Sequence, residues 1–150
     1  MRAWRLTLRR HERLLDGRGN RDSGARWNSP GRGVVYAAEN PSLALLETLV
    51  HLDPDLLPRD MSLVELDVPE DAGVLTIEAK EYPADWRKRP DWFRRTGDAW
   101  LTQGAALVLR APSAVMPHDR NIMLNPAHAR LPEVRIVDAS PFALDPRLIT

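Results

Sequence analysis

Cysteine is absent from this 150-residue chain, which excludes disulfides, zinc–thiolate sites and a thiol nucleophile. No run of about 18 apolar residues occurs, so nothing reads as a membrane span. Met1-Arg2-Ala3-Trp4-Arg5 has no apolar signal core behind it, and a cytoplasmic chain is expected. His11, His51, His118 and His128 are scattered, with no HExxH and no regular ligand spacing, so no metal site is expected. The GxSxG elbow of serine hydrolases is missing. Gly17-Arg18-Gly19 and Gly31-Arg32-Gly33 do not continue as GxGxxG, and no GxxxxGKS/T is present. Rossmann and P-loop nucleotide sites are thereby disfavoured.

Lysine is nearly absent as well, with 19 Arg against 2 Lys. A GC-rich genome accounts for much of that ratio but not for its distribution. The formal net charge is zero, yet it sums two unlike parts. Residues 1–35 hold nine Arg against Glu12, Asp16 and Asp22, a formal +6, and the remaining residues balance it at −6. Hydrophobic residues at 43% and charged residues at 28% match a globular chain and exclude disorder throughout. The length predicts one domain over residues 1–150.

Trp4, Leu6 and Leu8 alternate with Arg5 and Thr7, which predicts a half-buried strand over Ala3 to Leu8. Arg9 to Asp16 reads as a helical turn or two. Residues 17–33 hold five Gly and one Pro among Arg, Asn and Ser; this is a long loop, and long ordered loops in small domains are usually functional. Val34 to Ala38 predicts a short buried strand. Asn40-Pro41 supplies an N-cap and a first-turn proline for a helix running to about Leu52. Met61 to Val68 alternates as a strand, and Val74 to Ile77 is a weaker candidate. Lys80 to Arg95 reads as a charged loop with short helical pieces. Asp98 to Gln103 reads as a helix ended by Gly104, and Ala105 to Arg110 as a strand. Val134 to Val137 and Phe142 to Leu144 read as two closing strands. The order predicts a mixed α+β domain around a sheet, with short helices.

Glu47 is the oddest residue of the predicted helix. It shares a face with Leu43, Ala44, Val50 and His51, while Leu45, Leu49 and Leu52 line the other. A helix apolar on both sides is normally buried on both. A carboxylate there either finds partners or titrates abnormally, and such groups gather at functional sites. The plainer reading is a surface pair between Glu47 and His51 at i+4. In the loop Ser23 to Gly31, glycines permit close backbone approach, Arg26 can fork onto phosphate, and Trp27 can plug the core or face a ring. The plainer reading there is an Arg-rich turn. Ser113 follows Pro112 directly after a strand, which places it at a sheet end or in an ordinary turn.

Together these segments resemble the RES domain, the toxin half of bacterial toxin–antitoxin pairs whose antitoxin is of the Xre helix-turn-helix type. The resemblance rests on Trp4-Arg5-Leu6, on Gly24-Ala25-Arg26-Trp27-Asn28-Ser29-Pro30-Gly31, on Val35-Tyr36-Ala37-Ala38, and on Ala44 through His51. It continues through Gly97-Asp98-Ala99-Trp100, Leu109 through Ala114, and Asn125-Pro126. Ala111 stands where the family often has Val, and residues 80–95 match nothing in the pattern. The resemblance implies a fold like the ADP-ribosyltransferase toxins. It further implies cleavage of the nicotinamide–ribose bond of NAD+, as substrate and with no other cofactor. ADP-ribose then passes to phosphate, water or a target protein. It implies Glu47, Arg26 and Tyr36 as catalytic residues, and Arg26, Tyr36, Ser113, Arg5 and Asn28 as NAD+-binding residues. Arg5 is the candidate for holding a phosphate acceptor, and no membrane or direct nucleic-acid partner is implied. The residues by themselves leave a second reading open, a non-enzymatic nucleic-acid-binding or regulatory module using the +6 segment. That segment shows no helix-turn-helix and no aromatic–basic strand pattern.

Overall fold

The computed structural model describes residues 1–149. Among them are the strands β1 (Arg2–Leu8), β2 (Val35–Ala38), β3 (Met61–Asp67), β4 (Val74–Thr76), β5 (Val108–Pro112), β6 (Arg120–Leu124) and β7 (Arg135–Phe142). The α-helices are α1 (Arg18–Arg21), α2 (Pro41–Leu49) and α3 (Pro90–Gln103), joined by several short 3₁₀ turns. All seven strands share one sheet in the order β4-β5-β6-β2-β1-β3-β7. Only β4 and β5 run parallel; the other neighbours are antiparallel. This is the mixed α+β architecture expected from the order of elements.

Four elements differ from the sequence expectation, the first being α1, a single helical turn within the expected loop 17–33. β6 was not anticipated, because Ile122-Met123-Leu124 is a continuous apolar run without alternation. It is fully buried, and a strand covered on both faces loses the period-2 signal. The two closing strands are one, β7, which passes through Pro141. A proline is tolerated there because β7 is the edge strand and pairs only with β3. Finally, α3 starts at Pro90 and not at Asp98, with Asp91 in its first turn. Gly97 in mid-helix disguised the pattern. The helix does end at Gly104, whose φ of +63° suits a glycine.

Strand register sorts the sheet into two faces, since residues paired across antiparallel strands point the same way. Tyr36 lies opposite Met123 and Ala38 opposite Asn121, while Leu109 and Ala111 oppose the same two β6 residues. These side chains form the front face. Above it lie α2, α3 and the loop 22–33, with Trp27, Phe93, Trp100 and Met123 in one buried cluster. The back face carries Ala3, Val64, Leu66, Ile122 and Leu124, shared between both halves of the sheet. β1 and β2 touch through the single pair Trp4 and Ala38. Trp4 packs there with Leu43 and Ala44 of α2, so one helix bridges the narrowest part of the sheet.

The loop is held to α3 by an unusually close approach. A Cβ at Gly97 would lie 1.8 Å from the backbone oxygen of Trp27. Asp98 accepts from the Ser29 backbone N–H at 3.1 Å and from its hydroxyl at 2.6 Å. Arg32 donates to the Asp98 carbonyl at 2.7 Å, and Arg94 to the Ala25 carbonyl at 3.2 Å. Gly97→Ala is therefore expected to destabilise the chain by about 2–3 kcal/mol or more, although alanine is the better helix former. Denaturant unfolding of the purified variant measures it.

Candidate functional site

Glu47 is positioned by the start of its own helix. Asn40 caps α2 by accepting the Leu43 backbone N–H at 2.8 Å, and Pro41 follows with its φ already helical. The Asn40 amide also donates to Asp119 at 3.1 Å, tying the helix to the segment between β5 and β6. Leu43 and Ala44 are buried on the front face, and Glu47, one turn beyond Leu43, then lies above the ends of β5 and β6. On the face that Glu47 shares, Leu43 and Ala44 are buried but Val50, at the end of the helix, is 55% exposed, while Leu45, Leu49 and Leu52 of the other face are half-buried.

At that point two neutral donors converge on one carboxylate oxygen. The Ser113 hydroxyl donates to Glu47 Oε1 at 2.6 Å, and the Asn121 amide donates to the same atom at 2.8 Å. Ser113 is itself buried, and its Oγ accepts the backbone N–H groups of Val115 and Met116, both at 3.0 Å. Those two bonds fill the hydroxyl's acceptor capacity and aim its hydrogen at Glu47. An ionised carboxylate offers acceptors only, and both contacts use it that way. The i+4 pair with His51 is not formed: among the described residues Glu47 makes no ion pair, and His51 is exposed.

Arg26 occupies the other side of the site, on an aromatic wall. Its guanidinium lies 5.0 Å from the Phe93 ring centre and 5.8 Å from that of Trp86. Tyr82 packs edge-on against Phe93 at 5.0 Å, and its hydroxyl donates to the Pro112 carbonyl at 3.0 Å. Pro112 directly precedes Ser113, so the wall and the carboxylate meet at the end of β5. Arg26 is exposed and, among the described residues, has no carboxylate partner. Cation–π contact holds the head group while its N–H donors remain unused.

Tyr36 and Asn28 are tied to each other. Tyr36 Oη accepts the Trp27 backbone N–H at 3.0 Å and donates to Asn28 Oδ1 at 2.6 Å. Asn28 is fully buried, and its amide donates to the Asn20 side chain at 3.1 Å and to the Arg32 carbonyl. Asn28, expected to bind ligand, instead fastens the loop, because all of its polar atoms are already paired. The Tyr36 hydroxyl is likewise engaged; only the ring is left to face a ligand. Arg5 departs further. It neighbours Trp4 on β1, so strand alternation sends it to the opposite face of the sheet. There it donates to the Leu14 carbonyl at 2.8 Å and to Thr7 at 3.2 Å. Burial lowers its pKa, which the nearby Asp16 charge partly counters. The structure thus joins Glu47 to Ser113, seats Arg26 on the aromatic wall that reaches Pro112, keeps Tyr36 on the front face of the sheet, and puts Arg5 on the opposite face.

Sequence reasoning missed Asn121, Tyr82, Trp86 and Phe93. The aromatic residues stand in the segment that matched no pattern, and Asn121 on the unanticipated strand. The buried run 122–124, between Pro117 and Pro126, was the available signal. Two surface depressions, of about 430 and 390 Å³, are lined by neither Glu47 nor Arg26. Polar geometry and not cavity size therefore marks the site. Among the described residues, no three His, Asp or Glu side chains gather as a metal-binding group, and no helix is long and apolar enough to cross a membrane.

Comparison with known proteins identifies the family. The RES domain family model matches residues 2–145. "Toxin Res" of Yersinia enterocolitica is 32% identical over 152 residues, covering 99% of each chain. "Toxin Res" of Pseudomonas putida is 37% identical over 134 residues, covering 85% of this chain and 89% of that one. A Sphingobium protein named "Prs ADP-ribosylating toxin" is 33% identical over 139 residues, covering 90% of this chain and 86% of its own. Among solved structures, the M. tuberculosis MbcT–MbcA toxin–antitoxin complex contains a chain of similar fold. Its TM-score is 0.68 at 16% identity, over 99% of this chain and 86% of that one. The chain belongs to the RES domain family, whose matched relatives are named as toxins.

The two front-face tyrosines give the site a pH signature. Burial pushes the Tyr82 hydroxyl from its ordinary value near 10 up to about 12, and raises that of Tyr36 further. A raised folded-state value means the unfolded chain releases these protons first. The stability they support is complete below pH 10 and is lost as pH rises through 10 to 12 and beyond. Unfolding free energy measured across pH 9 to 12 is expected to fall, and less steeply in Tyr36→Phe. At neutral pH Tyr36→Phe is expected to cost about 1–3 kcal/mol, because it strands the Asn28 oxygen and the Trp27 N–H. The same denaturant titration reads both effects.

Proposed function

We propose that this chain is the toxin of a bacterial toxin–antitoxin pair, acting in the cytoplasm by cleaving the nicotinamide–ribose bond of NAD+. The observation that carries the reading is Glu47. This carboxylate, held by two neutral donors through one oxygen, lies across the end of β5 from an arginine without an acidic partner.

Nicotinamide leaves as a neutral molecule from a cationic pyridinium, so its departure needs no general acid. The C–N bond breaks with its electron pair going to the ring nitrogen, and positive charge develops on the ribose. A fixed carboxylate stabilises that oxocarbenium-like centre. Glu47 does so best because Ser113 and Asn121 have already set its geometry; it does not reorganise as charge appears. Ser113 acts by orienting Glu47 and not by touching the nicotinamide amide, since its hydrogen is already directed at the carboxylate. Arg26 forks onto the pyrophosphate with its unused donors, and the Tyr36 ring packs against the nucleotide. An acceptor oxygen then forms the new bond to the ribose carbon. For phosphate or water the acceptor's proton passes to solvent. NAD+ is consumed as substrate, and no further cofactor enters the scheme.

A protein acceptor is the second reading, supported by the name of the Sphingobium relative. A partner that silences the toxin is supported by the toxin–antitoxin complex of similar fold, and the family resemblance points to an Xre-type helix-turn-helix antitoxin. The nucleic-acid alternative is weakened in part, because Arg2 pairs with Glu65 and Arg9 with Asp60, acids from outside the basic segment.

Incubation of the pure protein with NAD+ tests the proposal. Nicotinamide release is followed with and without phosphate, alongside label retained on protein. Glu47→Gln is expected to slow nicotinamide release roughly 10²- to 10³-fold. Absence of both release and labelling in the wild type, or full activity in Glu47→Gln, overturns the reading.

A further inference from the structure

Asn121, in direct contact with Glu47, holds an unsatisfied polar group. It lies on β6 between Ala38 of β2 and Ala111 of β5, all on the front face, so its side chain stands between two methyl groups. Its amide nitrogen donates to Glu47 Oε1 at 2.8 Å, whereas its carbonyl Oδ1 is buried and has no hydrogen-bond partner. Exchanging the amide's two ends would set its oxygen against a carboxylate oxygen, so the donor must face Glu47. An orphan buried carbonyl costs stability and is rarely kept without a use. Ser113 and Asn121 both bind Oε1, and neither occupies Oε2.

We infer that Asn121 is a positioning residue for Glu47, and that its Oδ1 accepts a hydrogen bond from an N–H or O–H group of the bound nucleotide. With Ser113 it fixes the carboxylate through Oε1 and reserves Oε2 for the ribose. This inference rests on the reading of Glu47 as the group that stabilises the developing cation.

Steady-state nicotinamide release by the full chain tests it with two variants. Asn121→Ala removes both contacts, and is expected to lower kcat roughly ten- to hundredfold and to raise KM for NAD+. Asn121→Asp is nearly isosteric and keeps an oxygen at the Oδ1 position, so KM stays near the wild-type value. Its second oxygen faces Glu47, and two carboxylates this close share one proton. Its kcat is therefore expected to be low at pH 8 and to recover toward pH 5, a rise the wild type does not show. Thermal unfolding of both variants verifies that each is folded; should Asn121→Ala fail to fold, the Asn121→Asp pH profile decides alone. Wild-type kcat in Asn121→Ala, or an Asn121→Asp profile parallel to the wild type, overturns the positioning role. A wild-type KM in Asn121→Ala overturns the nucleotide contact. Glu47→Gln in the same assay separates the two ideas: full activity there defeats the Glu47 reading, whereas an inactive Glu47→Gln beside wild-type-like Asn121 variants defeats this inference only.

Discussion

A single carboxylate oxygen, Glu47 Oε1, joins three elements of the fold. It receives hydrogen bonds from Ser113 after β5 and Asn121 on β6, while its own backbone belongs to α2. A partly buried charge demands such partners, and neutral donors satisfy it without setting a cation beside it, so its negative charge is left uncancelled. An Arg–Glu ion pair at the same position would hold the carboxylate equally well and blunt its use. The helix cap at Asn40, the small residues Ala38 and Ala111, and the turn that closes on Ser113 Oγ all serve this arrangement.

The loop that carries Arg26 has the opposite difficulty, since it must be rigid with almost no regular structure. Its polar groups are satisfied inwardly by Asn28, Asn20 and Tyr36, and its backbone lies against Gly97 of α3. The aromatic residues of 82–93 complete it. They bury Trp27 within the core and provide rings on which the Arg26 guanidinium rests. Rigidity of this kind lets an exposed arginine bind an anion without first losing much conformational freedom.

Charge shows how far a linear reading carries. The +6 and −6 parts of the chain are distinct in sequence, but β1 pairs with β3, which brings Arg2 beside Glu65 and Arg9 beside Asp60. Segregation along the chain becomes pairing across the sheet. Arg26 is an exception, because its neighbours are aromatic rings and not acids.

Much was legible in the residues alone: the strands with clean alternation, the Asn40-Pro41 helix start and the Gly104 stop. These are local matters of period, capping and backbone freedom, and local physics settles them. Ser113 also stood out as a residue at a strand end. What local physics could not settle was facing and partnership. Arg5 and Tyr36 look alike as polar residues on short strands, yet alternation and register place them on opposite faces. Asn28 and Asn121 look alike as asparagines, each next to one buried hydrophobic residue, Trp27 and Ile122. One is consumed by the loop that it fastens and the other is turned toward Glu47, because only packing decides which donors a buried amide can reach. Sequence determined which chemistry this chain carries; tertiary structure decided which copies of each residue type were free to perform it.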